Sequence, residues 1–132
     1  MRTARAVARV LLGAFLLFAG VAHLVVLDEF LGQVPTFLPW REAIVVVSGL
    51  VELVLGAALL AVPLVAPHRL RALGWVVAAF FVAVFPGNVW QAVNDSTSFG
   101  LDTDAGRVVR LFFQPLLVVW ALWCTRQPDR ER

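Results

Sequence analysis

Four apolar runs, each about as long as a helix that crosses hydrocarbon, occupy most of this chain, at roughly 7–27, 43–66, 72–93 and 108–125. A bilayer core about 30 Å thick takes about 20 residues of helix to cross. Inside it every backbone N–H and C=O must find a partner within the protein, which leaves helices or closed barrels. With 61% hydrophobic and only 15% charged residues, the chain departs from soluble domains, which run about 45–50% and about 25%. The mean hydropathy is +0.85. Short connections between the runs favour antiparallel neighbours. The expected fold is all-α, an integral membrane four-helix up-and-down bundle, with residues 1–132 forming one domain.

The charges set an orientation. All 11 basic residues are arginine, a pattern expected of a GC-rich bacterial coding sequence, and they fall in small groups between the apolar runs. No basic stripe is formed, so nucleic acid is not an expected partner despite a pI near 10. Arg2, Arg5 and Arg9 precede the first run, Arg69 and Arg71 separate the second from the third, and Arg126, Arg130 and Arg132 follow the fourth. On the other side Arg41, Arg107 and Arg110 are diluted by Asp28, Glu29, Glu42, Asp95, Asp102 and Asp104. Positive flanks stay inside, which predicts a multi-pass protein of the bacterial cytoplasmic membrane with both termini cytoplasmic. The first run also has the outline of a secretory signal, yet it continues to Leu27, beyond a usual signal core, so the helix is expected to be retained.

The first outer loop, Asp28 to Glu42, alternates Phe30, Leu31, Val34, Phe37, Leu38 and Trp40 with Gly32, Pro35 and Pro39. Such a segment lies at the interface or dips into the bundle mouth, with Trp40 at headgroup level. The second, Asn94 to Gly106, reads as a solvated turn region. Its Asn94-Asp95-Ser96 matches a glycosylation acceptor, of little weight in a bacterial chain. Cys124 is the single cysteine, which excludes an internal disulfide and a paired-cysteine zinc site. No internal repeat, phosphate-binding glycine loop or catalytic serine motif is present.

Polar side chains inside hydrocarbon are costly and ask for a reason. Glu52 lies near the middle of the second run, with Ser48 and Gly56 one turn away on the same face and Gly49 nearby. A buried carboxyl there is suited to holding or exchanging a proton. His23 accompanies a small-residue face of Gly13, Ala19 and Gly20, the kind that lets helices approach closely. Asn88 follows Pro86 and Gly87, a pair expected to break the helix and free backbone groups. Arg110 and Gln114 share a face at i and i+4, just before Pro115. With both termini inside, His23, Glu52, Asn88, Arg110 and Gln114 all fall at or above the midplane on the outer side. They are therefore expected to line one outward-opening cavity, with Ser48, Pro86 and Gly87 in support. Arg110 is expected to find a carboxylate, Glu52 or an outer-loop acid such as Asp28, or to sit above Glu52 and reach the outer water layer. The alternative is a structural hydrogen-bonded plug. His23 alone reads as a satisfied core histidine more than a metal ligand, and no metal site is expected. Trp75, Trp90, Trp120 and Trp123 read as bundle or interface anchors.

Taken in order, GVAH at Gly20 to His23, SGLVELVLG at Ser48 to Gly56, FPGN at Phe85 to Asn88 and RLFFQPLLVVW at Arg110 to Trp120 resemble the DoxX-like family of small bacterial membrane proteins. The resemblance covers nearly the whole chain. It implies a four-helix bundle in the cytoplasmic membrane, with His23, Glu52, Asn88, Arg110 and Gln114 as the polar core, and an association with quinone or thiol redox chemistry. The chain has no cysteine pair for thiol exchange and no histidine pair to hold haem.

Three functions compete on these residues. The first is a quinone-binding or redox-associated membrane subunit, in which a histidine, a carboxyl and amides around an apolar slot bond quinone carbonyls and exchange protons with the outer face. The candidate ligand is then a quinone or other apolar small molecule, and the candidate partner an oxidoreductase or other membrane subunit. The second is a non-catalytic membrane scaffold with a structural polar core. The third, a small transporter or proton path through Glu52, is weakened by the lack of an inverted repeat.

Overall fold

The computed structural model describes residues 2–93 and 104–127. Most of the second expected loop, with its Asn94-Asp95-Ser96 motif and Asp102, lies outside these residues, as do Arg130 and Arg132. Among the described residues the chain is all-helical: α1 (Arg2–Val25), a short α2 (Leu27–Leu31), α3 (Arg41–Val65), a 3-10 turn (Pro67–Arg69), α4 (Leu70–Val93) and α5 (Asp104–Cys124).

Three of these helices are long and apolar enough to cross a membrane; the apolar part of α5, Val108–Cys124, is shorter. At 1.5 Å per residue, all of α5 still spans about 31 Å. The helices overrun the apolar runs that announced them. α1 begins at Arg2, α3 at Arg41 and α5 at Asp104, so residues 104–106 are helix where a turn was expected. Hydropathy marks the part of a helix fit for hydrocarbon, whereas arginine, glutamate and alanine extend the helix itself at little cost. Pro67 halts α3: proline disfavours helical geometry in the residue before it, and Ala66 is extended in φ at −149°.

Spatial order follows chain order, and the helices divide into two close pairs. α1 lies along α3 and α4 along α5, while the α1–α5 and α3–α4 contacts that join the pairs are sparser. The α1–α3 seam is closed by glycine. A β-carbon on Gly20 would stand 2.8 Å from the Gly49 carbonyl oxygen, and one on Gly56 would stand 2.8 Å from that of Gly13. Backbones this close gain dispersion contacts that larger residues would forbid. In the other pair Gly74 faces Thr125, whose hydroxyl donates to Ala121 O at 2.7 Å. The interior is apolar, centred on Leu12, Leu16, Leu59, Val77, Phe81 and Ala121. The outside is apolar too: Phe18, Val54, Val82 and Phe112 are each 60% exposed or more.

The segment joining α1 to α3 folds inward. Phe30 and Val34 are buried against Val45, and Phe37 meets the Trp90 ring edge-on at 5.6 Å. Arg41, which the sequence offered only as a topology charge, clasps the loop: its Nη2 donates to Leu31 O at 2.6 Å and Val34 O at 2.9 Å. Trp40 beside it is exposed and left-handed, with φ of 54°. That conformation costs a non-glycine residue about 1–2 kcal/mol, which the clasp offsets. The break expected at Pro86-Gly87 does not occur, because α4 runs through both residues, as α5 runs through Pro115. Gly87 instead admits the loop, since a β-carbon there would stand 2.8 Å from Gln33 O.

Candidate functional site

Where the loop meets the four long helices there is a cavity of about 340 Å³, within the usual range for small-molecule sites. His23, Glu52, Asn88, Arg110 and Gln114 all line it, together with Ser48, Pro86 and Gly87. It lies between the two helix pairs, with the titratable groups of α1 and α3 on one wall and the amides of α4 and α5 on the other.

The first wall begins with the α1–α3 seam. Gly49 brings α3 so near α1 that a β-carbon on it would sit 2.6 Å from His23 Cβ. One turn further on, Glu52 Oε2 comes to 3.0 Å from His23 Nδ1. The same Nδ1 is 2.7 Å from Ala19 O. A carbonyl oxygen can only accept, so Nδ1 carries the proton and donates it to Ala19, and Nε2 is the nitrogen left to gain or lose one. Phe30 stacks on the imidazole at 3.7 Å between centroids and fixes the ring plane. Because the Nδ1 proton is aimed at Ala19, Glu52 Oε2 lies beside the ring without an aligned hydrogen bond, and it is buried without a donor. Glu52 therefore takes His23 as its partner, and the Arg110 pairing is not made.

The second wall is a relay of hydrogen bonds. Arg110 Nε donates to Asn88 Oδ1 at 3.3 Å, Asn88 Nδ2 donates to Gln114 Oε1 at 3.0 Å, and Gln114 Nε2 donates to Phe81 O at 2.6 Å. Both amides are thus held in one orientation, which rigidifies the α4–α5 pair. Arg110 meets Asn88 here, and Asp28, the other partner considered for it, is exposed on α2.

Gln33 is the cavity residue that the sequence did not single out. It sits in the inward loop, and its Nε2 is a buried donor without an acceptor. The only sequence signal was its place as the one amide among the loop's apolar residues. A stranded acceptor at Glu52 and a stranded donor at Gln33 thus line one cavity, and each costs about 1–3 kcal/mol unless something satisfies it.

The model of a family described as a domain of unknown function, DUF8561, matches residues 12–125. The chain belongs to the DUF8561 family. No curated protein and no solved structure matches it. All five cavity residues expected from the sequence, and Gln33 with them, lie within the stretch matched to DUF8561. Cys124, at the far end of that stretch, is buried and remote from the cavity.

Proposed function

We propose that this DUF8561 protein is an integral membrane quinone-binding subunit that serves a partner oxidoreductase. The observation that carries the reading is the pair of stranded groups in one cavity. Gln33 Nε2 would donate to a carbonyl of a bound quinone, and Glu52 Oε2 would accept from a hydroxyl of its reduced form. The DoxX-like resemblance points the same way, as does the apolar outer surface of the helices.

A bound quinone supplies two-electron, two-proton chemistry. The chain's own groups handle only the protons and the position. Gln33 orients the ring, His23 takes or gives a proton at Nε2, and Glu52 stabilises the imidazolium while it is charged. The Asn88–Gln114 relay holds the opposite wall still. Purifying the full chain from native membranes in mild detergent, followed by solvent extraction, should yield close to one quinone per chain. A quinone-free preparation that retains its helical fold would refute the proposal. The relay favours a second reading, a structural polar core in a membrane scaffold, because Asn88 and Gln114 already satisfy one another; that reading expects the quinone-free result.

In the same proposal the chain crosses the bacterial cytoplasmic membrane four times, with both termini inside. Reporter fusions placed after Arg69 and at the C-terminus should both report the cytoplasmic side. An external C-terminus would reverse the orientation and put the cavity in the inner leaflet.

A further inference from the structure

At the end of the helices opposite the quinone cavity there is a second one, of about 920 Å³, and its border is cationic. Arg2, Arg5 and Arg9 reach it from the start of α1, His68 from the turn between α3 and α4, Arg71 from the first turn of α4, and Arg126 from just beyond α5. Among the described residues no carboxylate lines it, and none of these arginines makes an ion pair. Of the described carboxylates, Asp28, Glu29 and Glu42 lie toward the other end of the helices. Arginines serving only as an orientation signal would do so equally well fanned out into water. Here Arg5 and Arg9 are partly buried, and the Nε of each is sealed from solvent without an acceptor. Arg5 Nη1 reaches Arg126 O at 3.5 Å and its guanidinium lies 6.0 Å from the Trp123 ring centroid, so it is held in place over the cavity. The charges are therefore assembled and partly desolvated, and among the described residues they have no anionic partner.

We propose that this cavity binds the phosphate headgroup of an anionic phospholipid. Guanidinium groups are planar donors matched to phosphate oxygens, and basic pockets between membrane helices are where such headgroups lodge. A lipid, as opposed to a free anion, is favoured by the surface beside the cavity. Leu64 and Val65 at the end of α3 are 83% and 78% exposed, and Val7 on α1 is 54% exposed. They offer acyl chains an apolar wall directly adjoining the arginines.

The test uses the full chain in a neutral detergent, with lipid adducts counted by native mass spectrometry against added phosphatidylglycerol or phosphatidylcholine of the same acyl chains. Phosphatidylglycerol should bind at least tenfold more tightly. Each arginine near an anionic headgroup contributes about a fivefold factor, so Arg5→Gln combined with Arg9→Gln should weaken it roughly twenty-five-fold and leave phosphatidylcholine unchanged. Equal binding of the two lipids, or a double variant that keeps the preference, would overturn the proposal. Displacement of phosphatidylglycerol by an equal concentration of inorganic phosphate would also overturn it, by giving the site to a free anion. Should the double variant fail to fold, Arg71→Gln with Arg126→Gln, both at exposed positions, is read by the same criteria.

Discussion

Gly49→Val is expected to part α1 from α3 and to abolish ligand binding at the cavity in the same step. Even the β-carbon of the new side chain falls 2.6 Å from His23 Cβ and 3.1 Å from Gly20 O, and the latter, being backbone, cannot rotate away. The two helices must separate or tilt, which puts the cost at the upper end of overpacking, about 3 kcal/mol. His23 is displaced directly, so the Nδ1 contacts with Ala19 and Glu52 are lost together. Val47→Ala, on the exposed side of the same helix, should change stability by no more than about 0.5 kcal/mol. Thermal unfolding in detergent separates the two, and a Gly49→Val protein as stable as the parent would show that the seam is not close-packed.

Replacing Glu52 should divide stability from chemistry. Glu52→Leu removes the carboxyl facing His23 and leaves the buried imidazole without it. The expected cost is about 2 kcal/mol, with quinone affinity falling roughly thirtyfold. Glu52→Gln keeps the shape and an acceptor oxygen, so folding and quinone retention should stay near the parent. Its neutral amide does not stabilise the imidazolium, and quinone-linked proton exchange should be lost. Equal activity of Glu52→Gln and the parent would remove the proton role and leave Glu52 as a packing element.

What the sequence disclosed and what it hid divide along physical lines. The apolar runs announced the four long helices because twenty consecutive apolar residues have few other folded solutions. They misplaced the helix starts, since the first turns of α1, α3 and α5 carry Arg2, Glu42 and Asp104, which are helix-compatible but not apolar. Depth along each helix was legible from counting at 1.5 Å per residue, and so the residues that share the cavity were legible too. Rotation between helices was not. Charge complementarity alone nominated Arg110 as the partner of Glu52, whereas the glycine seam puts α3 against α1 and hands Glu52 to His23. The backbone acceptors Ala19 O and Phe81 O carry no sequence signature. Gln33 was hidden by its setting, a loop whose burial depends on the Arg41 clasp and on the space left by Gly87.

The division into two close-packed pairs bears on how a solute would come and go. Within α1–α3 the backbones are locked by glycine contacts and α4 is tied to α5 by the Asn88–Gln114 hydrogen bond, while the pairs meet each other more sparsely, and the cavity lies between them. Local opening takes the path that breaks the fewest buried contacts, which here is a slight splaying of one pair from the other. With the helices in a bilayer as proposed, a molecule already dissolved among acyl chains would then slip in sideways between helices, never shedding its tail into water, and leave by the same route. The folded outer loop would act as a roof, and the residence time of the guest would follow the stiffness of the seam between the halves.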